Sequence, residues 1–509
     1  MFKVIEELPL KALYSRDITI KLEILNALYR EYNGYTIESL SHKINVSKKT
    51  IYKYIKELNE LSINSSENTA FVLDSESNNY TFLGNKIEFL ELRYRILESC
   101  DAIKLLLELV HASSINFLNF CAKYYISEST LKNIIRKINY IFKFIDIRLS
   151  VKKNEIFLNG NEVIIRYCFT SILWRIYNGL KFPFELMDKE IIQKLKGDLF
   201  KNLPLSISEG RKNLFLYLLL VNATRAHNNK LSSSLFPNFY KELTGKSDIL
   251  VKLAATLHNY FKLSTVELEF NLILLYTFPE FYQFEDKLFY TLNILEKKAP
   301  CTFYNIISFL IFIKKKHPTW DINSENGRNL LSHIISSYIS VFLFKHAYFN
   351  LQDLNLLKFS YDNFPTLLPT IQKNIVRSTS NTQEGIIKSL TFRLTQAYLV
   401  EFSPMDFEPE INIMLITDSP PFVEKGIILK LNSILATKYN IKISTEISNL
   451  NQTDLIISTG LYVNLYSEST SQIPKVFIFP QIEERDKFEI LEACKIIHEK
   501  KINLLDILN

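Results

Sequence analysis

The sequence predicts a multi-domain, mainly α chain: two winged helix-turn-helix modules, two all-α helical bundles, and a small C-terminal α/β domain with a parallel four-stranded sheet. Three observations predict it. A helix–turn–helix pattern with a serine cap at Ser47 returns with a cap at Ser127. From Arg166 to Val400 apolar residues recur at three- and four-residue spacing, and after Pro409 short apolar runs alternate with helical stretches. The chain has 509 residues and a mass of 59.6 kDa, room for three to four domains at about 150 residues each. The pattern divides it into five segments, residues 1–86, 87–165, 166–288, 289–405 and 406–509.

In the first segment, Ile20, Ile24, Leu25 and Leu28 mark a helix within Asp17–Tyr32. Thr36 is placed to cap a short helix carrying Ile37, Leu40 and Ile44. Asn45-Val46 reads as a turn. Ser47 then caps a third helix, Lys48 to about Leu61, that buries Ile51, Ile55 and Leu58. Thr69–Leu73 and Tyr80–Leu83 read as strands around the turn-rich Asp74–Asn79, which completes a wing.

The second segment repeats the plan. Ala102–Val110 and Ser114–Tyr124 read as helices, and Ser127 caps Glu128–Phe142, which buries Leu131, Ile134, Ile135 and Ile138. Ile147–Val151 and Glu155–Leu158 form a hairpin around Lys152-Lys153-Asn154. The helical stretch that follows, about 235 residues, is long for one bundle and divides into two near Asp286–Tyr290. In the last segment Ile411–Ile416, Ile441–Glu446, Asp454–Ser458 and Lys475–Phe479 read as strands. Val423–Tyr439 and Ile482–Lys500 read as helices.

Composition removes several enzyme classes. Only 11 glycines are present, none closer than Gly197 and Gly210, so no glycine-rich phosphate cradle or nucleophile elbow can form. The closest of the five cysteines, Cys100 and Cys121, are 21 positions apart, which leaves no C-x-x-C pair and fits a reducing cytoplasm. The eight histidines never approach ligand spacing. No metal, cofactor or catalytic residue is expected. The N-terminus lacks the apolar core of a signal peptide, and no apolar stretch approaches about 18 residues, so a soluble protein without a membrane partner is expected.

The most informative residues lie on the third helix. Between Lys43 and Lys56 stand five lysines and no acid. With Ile51, Ile55 and Leu58 inward, Lys48, Lys49, Tyr52, Lys53 and Lys56 face outward, with Lys43, Ser47 and Thr50 beside the N-terminal end. A helix of this kind fits the major groove of double-stranded DNA, and its lysines neutralise phosphates. In the second segment Thr130, Lys132, Asn133, Arg136 and Lys137 occupy the corresponding face. Lys152 and Lys153 sit at the wing tip, within reach of a flanking phosphate or the minor groove. The first face could instead be a solvated helix surface, and one module could bind DNA while the other only packs.

In the order of its parts, in Thr36–Leu58 (TIESLSHKINVSKKTIYKYIKEL) and in Ile147–Arg166, the chain resembles the Mga/AtxA-type regulators of Gram-positive bacteria. The resemblance covers the whole chain. It implies that the two bundles are PTS regulation domains (PRDs) and that the C-terminal domain resembles an EIIB phosphotransferase component. It also implies a homodimer that binds promoter DNA, activates transcription of virulence or sugar-uptake genes, and is transiently phosphorylated by HPr and enzyme I. His227, with Arg225 two residues away to pair with phosphate, is the first candidate acceptor, followed by His333 and His346. True EIIB proteins carry a nucleophilic cysteine after the first strand. Here that place reads Thr417-Asp418-Ser419-Pro420-Pro421, and Cys494 lies on the last helix, so transfer chemistry is expected to be lost. A protein-binding scaffold and a phosphotransferase component are the alternative functions.

Overall fold

The computed structural model describes residues 10–63, 79–184, 187–201, 207–228, 231, 242–243, 248–283, 287–348, 366–379, 382–446, 452–460 and 472–508. The chain divides into two compact units. The first comprises residues 1–310, 320–354 and 383–389; the second comprises residues 311–319, 355–382 and 390–509.

The first unit begins with three helices, α1 (Arg16–Arg30), α2 (Ile37–Ile44) and α3 (Lys48–Ile63). Ile24, Leu25 and Leu28 from α1, Leu40 from α2, and Ile51, Ile55 and Leu58 from α3 are buried together. Thr36 caps α2 by accepting from the Ser39 amide, as the sequence predicts. Gly34, at φ 74°, turns the chain ahead of α2 so closely to Tyr80 that an added Cβ would lie 2.7 Å from the Tyr80 carbonyl oxygen. Tyr35 and Tyr80 pair as one antiparallel bridge. The first predicted wing strand, Thr69–Leu73, and the turn through residue 78 lie outside the described residues.

Helix α4 (Lys86–Glu98), which the sequence reading passed over, opens with a capping box between Asn85 and Glu88. It is buried on two sides. The Arg95 guanidinium donates to the Leu61 carbonyl at 2.9 Å, and Arg93 donates to the Arg175 carbonyl at 2.8 Å.

The second module contains α5 (Asp101–His111), β1 (Ser114–Asn116), α6 (Phe117–Tyr124), α7 (Glu128–Phe142), β2 (Arg148–Lys152) and β3 (Glu155–Asn159). Its sheet is antiparallel, in the order β1-β3-β2. The predicted helix Ser114–Tyr124 is therefore a strand followed by a shorter helix. Asn116 causes the break: its side chain accepts from the Asn119 amide at 3.0 Å and restarts the chain as a helix. Glu155 fixes the pairing, accepting from Ser114 at 2.9 Å and Asn116 at 3.0 Å. The hairpin turns at Lys153 (φ 49°) and Asn154 (φ 65°), the two left-handed residues of a type I′ loop. Along α7, Leu131, Ile135 and Ile138 are buried, and Ile134 is half-buried.

The helical stretch continues as α8 (Glu162–Tyr177), α9 (Lys189–Lys201), α10 (Glu209–Asn228), α11 (Asp248–Phe261), α12 (Thr265–Leu275), α13 (Lys287–Lys298), α14 (Pro300–Lys316), α15 (Glu325–Phe344), α16 (Leu367–Ser378) and α17 (Glu384–Glu401). Helix α13 runs across the predicted boundary between residues 288 and 289.

The second unit holds β4 (Ile411–Ile416), α18 (Pro421–Leu435), β5 (Ile441–Ser444), β6 (Leu455–Ser458), β7 (Lys475–Phe477) and α19 (Glu484–Leu508). The strands form the predicted parallel four-stranded sheet, in the order β5-β4-β6-β7. Ile411, Ile413 and Leu415 pack on one face with Leu431, Ile490 and Cys494, while Met414 and Ile456 fill the other. Burial on both faces explains why these strands read as continuous apolar runs rather than alternating ones.

Candidate nucleic-acid interface

The two helix-turn-helix modules repeat each other with an offset of 80 residues. In both, the scaffold helix ends in a left-handed residue, Asn45 (φ 59°) or Tyr125 (φ 53°). The next amide closes the turn: Val46 donates to the Ser41 carbonyl at 3.2 Å, and Ile126 donates to the Cys121 carbonyl at 3.1 Å. A serine then caps the following helix, Ser47 accepting from the Thr50 amide at 3.2 Å and Ser127 from the Thr130 amide at 3.1 Å. Inward positions correspond as well, Ile51 with Leu131, Ile55 with Ile135, and Leu58 with Ile138.

On the first module, Lys43, Ser47, Lys48, Lys49, Tyr52, Lys53 and Lys56 are all exposed, and Thr50 is half-buried with its hydroxyl 2.8 Å from that of Ser47. Lys48 pairs with Glu38 and holds that carboxyl below the usual carboxylate range by hydrogen bonding and charge. Lys43 reaches the Tyr35 hydroxyl, and Lys53 lies 3.7 Å from Glu57. Lys49 and Lys56 have no ion-pair partner among the described residues. These contacts are solvent-exposed and weak, so a phosphate can displace them.

On the second module Thr130, Lys132, Asn133, Arg136 and Lys137 are exposed along α7. Lys132 lies 3.3 Å from Glu128, and Arg136 donates to Asn133 at 2.9 Å. Lys152 and Lys153 stand exposed at the hairpin turn. The sequence reading passed over two tyrosines near this face, Tyr125 and Tyr140, 96% and 74% exposed. The signal for Tyr140 is its helical spacing from Asn133, Arg136 and Lys137; for Tyr125 it is the alignment with Asn45.

The histidines are scattered. His227 is exposed at the end of α10. Arg225, expected to serve it, is instead 2% exposed and wholly engaged. Its guanidinium donates to both Glu162 carboxylate oxygens, at 2.6 and 2.9 Å, and to the Leu109 carbonyl at 2.7 Å. A phosphate on His227 would have to break a buried ion pair to recruit it. His333 is half-buried, and burial lowers its pKa. His346 lies 3.7 Å from the Asp146 carboxylate, a neighbour that repels added negative charge.

In the α/β domain, the segment after β4 leads directly into α18 with Pro420 at the cap position, and the Thr417 hydroxyl bonds that of Thr459 at 2.9 Å. Cys494 is buried in the sheet's helical layer, where burial pushes its thiol up to about 12. A thiol in that state is no nucleophile near neutral pH.

Two tandem modules with matched turns and basic outer helices define a helix-turn-helix protein. An HTH domain matches residues 21–78, and the Mga helix-turn-helix domain matches residues 85–173. The capsule synthesis positive regulator AcpB of Bacillus anthracis is 23% identical over 228 residues, 43% of this chain and 45% of that protein. The chain thus matches less than half the length of AcpB. A putative trans-acting regulator of Streptococcus pneumoniae serotype 4 is 19% identical over 460 residues, 86% of this chain and 89% of that protein. The chain thus carries an HTH domain followed by a Mga helix-turn-helix domain, and it is similar to proteins named as regulators.

Proposed function

We propose that this chain is a sequence-specific activator that grips promoter DNA with both modules and acts as a cytoplasmic homodimer. The carrying observation is the repeat of one basic helix face 80 residues apart. Lys43, Ser47, Lys48, Lys49, Thr50, Tyr52, Lys53 and Lys56 form the first contact surface. Thr130, Lys132, Asn133, Arg136 and Lys137 form the second, with Lys152 and Lys153 on the wing. The positive regulation named for AcpB supports the activator sense. Among the described residues no helix is long and apolar enough to cross a membrane.

The helical segments 166–288 and 289–405 serve in this reading as PRD-like sensors, and 406–509 as an EIIB-like domain without transfer chemistry. HPr and enzyme I phosphorylate His227 first, with His333 and His346 as secondary acceptors. An added phosphoryl group brings about two negative charges and shifts association or DNA affinity. Gel-shift titration of the protein against its own upstream duplex and a scrambled duplex tests the DNA reading. Preference for the native duplex supports it, and equal or absent binding overturns it.

A further inference from the structure

We propose that Tyr125 contacts the sugar–phosphate backbone of DNA, its phenol donating a hydrogen bond to a phosphate oxygen beside the groove entered by Glu128–Phe142. The proposal rests on the DNA-binding reading above.

The backbone carries the first half of the argument. Tyr125 holds φ 53° at the end of Phe117–Tyr124, a left-handed conformation that is costly for a bulky side chain and cheap for glycine or asparagine. The first module makes the same turn with Asn45, at φ 59° and with the same hydrogen bonds. A cheaper residue therefore fits the second turn, and tyrosine occupies it.

Exposure carries the second half. A tyrosine 96% exposed packs against almost nothing, so burial within the chain does not offset its backbone strain. It caps the C-terminal end of Phe117–Tyr124, the helix that in this motif crosses the nucleic-acid backbone, and stands two residues before Ser127, the cap of the helix whose N-terminal end enters the groove. Tyrosine hydroxyls are among the side-chain donors that reach phosphate oxygens.

Tyr125→Asn and Tyr125→Phe, tested in the full chain against the native and scrambled duplexes, decide the matter. Tyr125→Asn is expected to unfold at or above the wild-type temperature, because asparagine tolerates the left-handed turn. Both variants are expected to lose about tenfold in affinity on both duplexes, the value of one hydrogen bond to a charged group. The salt dependence is expected to stay unchanged, since the phenol is neutral. Wild-type binding matched by both variants would overturn the proposal alone. A loss confined to the native duplex would overturn the phosphate assignment in favour of a base contact. Absence of wild-type binding would overturn the DNA reading and this proposal with it.

Discussion

Arg225 and Glu162, 63 positions apart in the chain, meet as a fork-to-fork ion pair with N–O distances of 2.6 and 2.9 Å. Glu162 also accepts from Arg166 at 3.0 Å, and Arg166 donates in turn to Glu267. The alternating chain Arg225–Glu162–Arg166–Glu267 joins α8, α10 and α12. Through the Leu109 carbonyl it also reaches α5 of the second helix-turn-helix module. Module and helical stretch are thereby bolted together inside one unit.

Removing one member of this chain leaves a charge buried without its partner. Glu162→Gln is expected to destabilise the first unit by about 3–5 kcal/mol. Thermal unfolding at two ionic strengths checks this. The loss should be nearly independent of salt, because buried charges are poorly screened.

The two serine caps hold the corresponding helix starts. Ser47→Ala and Ser127→Ala are each expected to cost about 1 kcal/mol, since each leaves a helix-end amide unsatisfied. Equilibrium denaturation of the single and double variants measures it. The two sites lie in separate turns, so the losses should add.

Burial raises the pKa of the Tyr177, Tyr217, Tyr276, Tyr338 and Tyr398 phenols, and that of the Cys168 and Cys494 thiols. An acid whose folded pKa is raised keeps its proton in the native state while the unfolded chain loses it. Stability from these groups is therefore present below the unfolded pKa values and falls as pH rises through them. The expected decline begins near pH 8.5–9 for the thiols and steepens above about 10 for the phenols. Denaturant midpoints from pH 7 to 11 should show it, and a flat profile would contradict the buried placement.

Exposure orders the histidines for modification. Incubation with phosphorylated HPr is expected to label His227 ahead of the half-buried His333, and His227→Ala should remove most of the label. Retention of the label in His227→Ala, with loss in His333→Ala, would reverse the order.

Local signals were legible in the sequence and distant ones were not. The caps at Thr36, Ser47 and Ser127, the inward residues Ile51, Ile55 and Leu58, and the runs Ile411–Ile416 and Leu455–Ser458 each depend on neighbours within a few positions. They appear where the sequence places them. Helix α4 escaped notice because burial on two sides blurs its period. Ser114–Asn116 escaped because its strand exists only through pairing with Glu155–Phe157, some 40 residues on. The fate of Arg225 was unreadable for the same reason, since nothing near it in sequence announces Glu162.

The salt dependence of binding to the native duplex tests the central claim most directly, measured for wild type and for the Lys48→Ala, Lys49→Ala, Lys53→Ala triple variant. Counterion release predicts a steep fall in wild-type affinity with salt, about 0.9 in the log–log slope for each phosphate contacted. The triple variant should remain folded, bind more weakly, and show a slope shallower by about 2–3. An unchanged slope and affinity in the variant would contradict the assignment of Lys48–Ile63 as a DNA-contacting helix.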